Sequence, residues 1–485
     1  MSSLAATDIK YQKFLKYFQG LANTSGKVFK NLTDFRGPYD LISALTQKMI
    51  GVIGTSGLFQ SPEEAKEFYD SSPKGEFGKS VLLLRLFQKH RERCLKEGIV
   101  HVFVQFTPWN FYDPNEKKSP KQFYEVLKKV HETCPGFYTF GVTIVKQFGK
   151  GTVEQEQVWS KAVNKGFIKS ALEANLEAGY RVVTFIGAAS NEAPQEGQTT
   201  PPAGVGSWEP TSEKPGREAV QKLISIIDEA KESLIEKYGE AKVKELCNLP
   251  LSIHAGEEHN TGHYDPTDFV KAVLEHPNTV GIGHGVSIGK ALLEGKHMST
   301  TQMTGGQQII TLDQWLKDVI AKGIIFEVCL TSNQSINSSG TSLEYLDEMM
   351  KHGIMCALGT DDPALFGITL CDEYLKYAKH LWYKCFRKGS GMGLSIERTI
   401  EFVQGSLTTL ANNSLKYAGM DEHLLKENLK LGIDRSSVEN DKEFPKFPLE
   451  AFQIFVKALH KCDVHTHIGA LFPQSLIAEI LKESN

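Results

Sequence analysis

The chain predicts the α/β class and, within it, a (β/α)8 TIM barrel with a helical layer at its N-terminal side. From about residue 100 onward, short β-branched apolar runs alternate with longer amphipathic stretches, the pattern of repeated strand and helix units around a parallel sheet. Eight such runs occur, the number that closes a barrel, and the polar motifs fall at their ends, where parallel barrels present reactive groups. A length of 485 residues fits one large barrel with additions or two domains.

Residues 1–100 read as helical and irregular, with turn signals at Arg36-Gly37-Pro38 and Ser71-Ser72-Pro73-Lys74-Gly75 and no strand series. They are expected to form a helical layer packed on a catalytic barrel of residues 101–485. The predicted strands are His101–Phe106, Phe137–Val145, Arg181–Ala188, Leu251–His254, Val280–Gly283, Ile324–Cys329, Ile354–Gly359 and Cys462–His467. Strands buried on both faces should be nearly continuous apolar runs, as most of these are. Between them, residues 190–216 are too rich in Pro, Gly and Thr for regular structure and directly follow a strand. Such a loop reads as a lid or as a plain surface insertion.

A formal net charge of −4, with acids and bases nearly balanced, gives no electrostatic reason to expect nucleic acid or an acidic membrane as partner. The expected partner is a small molecule; the sequence is silent on oligomeric state. Lys10, Lys13 and Lys16 interrupt the apolar runs near the N-terminus, so neither a signal-peptide core nor a spanning helix is expected there, and the predicted location is cytoplasmic. Eight cysteines without a Cys-x-x-Cys pair suit reduced, buried thiols, and exclude the cysteine ligand sets of zinc fingers and cytidine deaminases.

His465 and His467 stand two residues apart on a predicted strand, so both point to one face and can bind one metal ion together. Alone, such a pair equally describes a solvated strand face. Three further motifs answer it: Ile253-His254-Ala255-Gly256-Glu257, Gly281-Ile282-Gly283-His284-Gly285, and Leu358-Gly359-Thr360-Asp361-Asp362-Pro363. The glycines around His284 are expected to let backbone approach a ligand, and the adjacent acids to point in different directions. Together, histidines and carboxylates on successive strand ends supply a nitrogen-and-oxygen zinc site that keeps a position for water, whose pKa such an ion lowers to about 7.

The set His-x-His, His-Ala-Gly-Glu, Gly-His-Gly and Thr-Asp-Asp-Pro resembles the motifs of the adenosine and AMP deaminase family. Asp361 to Gly367 leans toward its adenosine deaminase growth factor branch, and Glu327 to Asn333 and Asn412 to Tyr417 are also similar to family segments. In that family the His-x-His strand comes first. Here it comes last, so the resemblance implies a circularly permuted barrel, joined between Asp434 and Pro448. It further implies one Zn2+ per chain held by His465, His467, His254 and Asp361. Glu257 would donate a proton to the purine ring nitrogen, His284 would activate the attacking hydroxide, and Asp362 would hydrogen-bond the imidazole side of the purine beside Gly256. Two positions depart from the family pattern. Gly469 stands where an acid usually reaches the ribose, and Ser190 where a glycine often contacts the purine edge.

The expected reaction is zinc-dependent hydrolytic deamination of adenosine or a close 6-aminopurine nucleoside, giving the inosine-type product and ammonia. Adenine, AMP or a modified purine are alternative substrates. No cluster of Lys and Arg flanks the motifs, and the 190–216 loop carries Glu192, Glu196, Glu209 and Glu213, which disfavours a phosphate. A catalytically inactive binding or signalling protein on the same barrel is the reading from another class. A two-metal hydrolase with a carbamylated lysine is disfavoured, because Phe185-Ile186-Gly187 offers no lysine.

Overall fold

The computed structural model describes residues 78–106, 121–145, 161–189, 215–257, 273–294, 319–337, 342–386, 392–434, 445–468 and 471–472, with single positions at 270, 317 and 476. Residues 1–77 of the expected helical layer, most of the 190–216 loop, Ser190 and Gly469 lie outside the described residues.

Eight parallel strands form one sheet: β1 (Ile99–Phe106), β2 (Tyr138–Val145), β3 (Phe185–Ala189), β4 (Leu251–Ala255), β5 (Thr279–His284), β6 (Ile325–Val328), β7 (Met355–Leu358) and β8 (Lys461–His467). Their spatial order is β7-β6-β5-β4-β3-β2-β1-β8. Every predicted strand is present, with boundaries shifted by a few residues. The largest shift is at β3, which begins at Phe185 because Arg181 to Thr184 form a bend leading out of the helix Lys161–Ala178. As expected for strands covered on both faces, nearly every residue of β1, β4, β6 and β8 is buried.

The ring closes at the seam between β7 and β8. Just past β7, the Asp361 N–H donates to the His465 carbonyl at 2.8 Å, and the His467 N–H donates to the Asp361 carbonyl at 2.8 Å, a parallel bridge between Asp361 and Thr466. Below it, Asp463 accepts from the Thr360 N–H at 3.0 Å and from its hydroxyl at 2.6 Å. β8 also pairs with β1 along its length, from Ile99↔Lys461 to Gln105↔His467. It therefore fills the gap between the first and seventh strands.

One small apolar cluster contains Phe103 of β1, Phe185 of β3, Ile325 of β6, Ala357 of β7 and Val464 of β8. Strands that are not neighbours in the sheet can share a cluster only across the barrel's interior, which is filled by side chains rather than open. The larger core lies between strands and helices. In the helix Gly78–Lys96, the described part of the predicted N-terminal layer, Phe87 packs edge-on against Tyr138, Phe140 and Phe472 at 4.9, 5.6 and 5.0 Å. Lys461, at the opposite end of β8 from His467, is buried with its ammonium donating to the carbonyls of Glu97, Val456 and Leu459, which ties the start of β8 to the turn before β1.

The seam is tight at Gly359. A Cβ there would stand 2.6 Å from the His465 Cβ and 2.9 Å from its carbonyl oxygen, both on a strand that cannot yield without opening the ring. Gly359→Ala is expected to cost about 1–3 kcal/mol by overpacking, measured as a lower urea midpoint at unchanged m-value. A variant as stable as the parent would mean that β7 and β8 are not held this closely.

Candidate active site

All four expected metal ligands meet at the mouth of the barrel. His254 is the penultimate residue of β4, His465 and His467 lie in the last three residues of β8, and Asp361 follows β7. The Nε2 atoms of His254 and His465 face each other at 3.0 Å, and one ring nitrogen from each of His254, His465 and His467 lies within 4.8 Å of the others. His254 and His467 stack with centroids 5.3 Å apart. Asp361 and Asp362 do not point apart, contrary to expectation: both offer an oxygen to His467 Nδ1, at 3.0 and 3.3 Å.

The ligand orientations are set from behind. His465 Nδ1 is 2.7 Å from Glu327 Oε2, and Glu327 Oε1 accepts from Ser252 at 2.6 Å and Tyr417 at 2.8 Å. With Nδ1–H committed to a carboxylate, Nε2 carries the lone pair and is aimed at His254. Gln105, whose Oε1 accepts from the Thr143 hydroxyl at 3.0 Å, lies 3.2 Å from the same Nδ1. This shell of Gln105, Thr143, Ser252, Glu327 and Tyr417 has no role in the sequence reading. Its signal is a polar residue set singly in an apolar strand, such as Gln105 in IVHVFVQF or Glu327 in IFEV.

The glycines of β5 vacate space for side chains. A Cβ on Gly281 would meet Glu327 Oε1 at 2.5 Å and Tyr417 Oη at 2.6 Å, and one on Gly283 would meet His465 Cε1 at 3.0 Å. Behind them, His284 adopts φ 67° and Asp361 φ 61°, the positive-φ non-glycine residues among those described. Both sit at the site, where strained backbone is held by the surrounding structure.

His284 Nδ1 pairs with Asn333 Oδ1 at 2.8 Å, so Nε2 turns inward, 3.5 Å from Glu257 Oε1 and 3.9 Å from Asp361 Oδ2, and makes no hydrogen bond of its own. Gly256, between His254 and Glu257, takes φ +69° with its Cβ position 2.3 Å from Ser287 Oγ, and so turns the chain between ligand and acid.

The carboxyl groups differ sharply. Burial works against ionising Asp361, but the His467 imidazolium beside it outweighs that and holds the carboxyl well below its usual range. Burial likewise disfavours a charge on His467, yet the carboxylates of Asp362 and Asp361 keep its pKa well above the usual imidazole range. For Asp362 burial prevails over His467, and its carboxyl is raised. The nitrogen-and-oxygen donor set of His254, His465, His467 and Asp361 suits a divalent ion such as zinc.

A parallel barrel with a histidine and carboxylate cluster at the C-terminal ends of its strands defines a class of metal-site barrels. The adenosine deaminase family model matches residues 228–385, which contain His254, Glu257, His284, Asp361 and Asp362. The chain is 40% identical over 131 residues to an adenosine deaminase of Serratia proteamaculans (strain 568), covering 27% of this chain and 31% of that protein; the chain thus spans about a third of its curated relative. Among solved structures it is similar to an adenine deaminase from Arthrobacter aurescens (14% identity, TM-score 0.44, covering 81% of this chain and 93% of that one). It is also similar to Arabidopsis ADAL complexed with IMP (14% identity, TM-score 0.42, 86% and 90% covered). Among the described residues no helix is long and apolar enough to cross a membrane.

Asp463, beneath the site on β8, has its carboxyl pushed up to about 7 by burial, against the hydrogen bonds from Thr360. In the unfolded chain it returns to about 3.9, so folding takes up a proton between these values. Its stabilising effect is complete below the unfolded pKa and is lost as pH rises through the folded value of about 7. Asp463→Asn should flatten this part of the stability profile in unfolding followed from acid to neutral pH. A variant profile parallel to the parent's would show that Asp463 ionises normally.

Proposed function

We propose that the chain is a zinc-dependent aminohydrolase that converts adenosine, or a closely related 6-aminopurine nucleoside, to the inosine-type product and ammonia. The observation that carries this reading is the convergence of His254, His465, His467 and Asp361 beside the inward-facing His284 and Glu257. The match of residues 228–385 to the adenosine deaminase family model supports it independently.

In this reading His254, His465, His467 and Asp361 hold one zinc ion. When bound, zinc makes hydroxide available at neutral pH by acidifying a coordinated water. The overall change adds the oxygen of water to the purine carbon that carries the amine and releases that amine as ammonia. His284, fixed by Asn333 so that Nε2 faces inward, holds the proton of the attacking oxygen. Glu257, on the same side, delivers a proton to the neighbouring ring nitrogen, so that charge does not build on the purine as the bond forms. Asp362, buried beside Asp361 and 3.3 Å from His467 Nδ1, accepts or donates a hydrogen bond at the imidazole side of the base. Gly256 sets the path of the chain between His254 and Glu257 and borders the bound purine.

Purified protein should contain about one zinc per chain and change the ultraviolet spectrum of adenosine on mixing; adenine, 2′-deoxyadenosine and AMP run in parallel rank the substrates. Zinc without turnover on any of them would favour the non-catalytic binding reading. Glu257→Gln should lower kcat by at least about a hundredfold with zinc content unchanged. Loss of the metal in that variant would reassign Glu257 from proton carrier to ligand.

A further inference from the structure

Cys329 follows β6 directly, is fully buried, and has no part in the proposed deamination. Its sulfur, a ring nitrogen of His284 and a carboxylate oxygen of Asp361 lie within 4.8 Å of one another. The thiol's contact with the Glu327 carbonyl is long, at 3.7 Å. His284 Nε2 is a buried nitrogen without a hydrogen bond, 3.9 Å from Asp361 Oδ2, and Nδ1 is already committed to Asn333. The left-handed backbone at both His284 and Asp361 fixes these donors in place. One sulfur, one imidazole and one carboxylate make a donor set that attracts thiophilic ions and discriminates against magnesium and calcium, which require oxygen.

We propose that His284, Cys329 and Asp361 form a second, inhibitory site for a thiophilic divalent cation, sharing Asp361 with the first cradle. The inhibitory consequence rests on the deaminase reading; the binding does not. An ion held there occupies His284 Nε2 and draws on the Asp361 carboxylate, so the base is lost and the first cradle is weakened together. Cys329 binds as the thiolate and releases its proton to solvent. Sulfur separates the two sites, because the first cradle has none.

The test is a cadmium titration of protein loaded with zinc, following zinc retention, turnover and the ultraviolet absorption of cadmium bound to thiolate. Wild type should take up one further cadmium with that absorption and lose activity in step. Cys329→Ser and Cys329→Ala should turn over normally without cadmium, lack the absorption, and need at least about tenfold more cadmium for half inhibition. The proposal is overturned if either folded variant keeps the absorption and the same sensitivity. It is equally overturned if wild type is inhibited without thiolate absorption while zinc is released, since cadmium has then only replaced the first ion. Failure of wild type to deaminate any aminopurine before cadmium is added would sink the deaminase reading instead, and the absorption would still decide the site.

Discussion

Asp361 holds two jobs through different atoms, and most of the molecule hangs on that coincidence. Its backbone exchanges hydrogen bonds with His465 and His467 and so closes the ring between β7 and β8. Its side chain then stands beside the rings of the strand it has just fixed. Loss of the backbone bridge would open a sheet edge and disperse the ligand set together, since His465 and His467 take their positions from the seam. The left-handed φ at Asp361 is the local strain that lets one residue reach both ways.

Burying so many polar groups in a barrel's interior is costly unless each is satisfied. Glu327 shows how this is arranged. It accepts from Ser252 and Tyr417 and faces His465, drawing on β4, β6, β8 and the end of the helix Ile396–Tyr417. Gly281 leaves the room for this meeting. Small residues on one strand thus permit large polar ones on its neighbours, an arrangement that pairs sites by volume as well as by charge. Asp361 and Asp362 extend the logic to ionisation: adjacent in sequence and touching the same imidazole, they are driven in opposite directions by their surroundings.

Much of this was legible in the residues, for identifiable reasons. The eight strands announce themselves because a sheet covered on both faces needs continuous apolar runs, and the clustering of His465 with His467 because strand alternation turns them the same way. The shell behind them was not legible. Gln105 and His465 are 360 residues apart, and nothing in IVHVFVQF states which ring its single amide will meet. The crowding that the glycines of β5 relieve was not readable, because it comes from β6, β8 and a distant helix. Nor could the adjacent acids be assigned a shared partner, since their directions depend on the unusual backbone at Asp361.

The placement of β8 has a kinetic side. His254 and His465 are separated by 211 residues, and the strand that joins β1 to β7 follows both of them in the chain. During synthesis the facing edges of β1 and β7 therefore exist, with unpaired N–H and C=O groups, before the strand that covers them has emerged. Such edges recruit other chains when they are left open. The contacts that cover them are of high sequence separation, which slows their formation. Lys461 bears on the same interval: its ammonium sits among the carbonyls of Glu97, Val456 and Leu459, at the end of β8 that emerges first. The barrel is thus latched from that end toward its mouth, and His465 and His467 are the last of the strand to be drawn in.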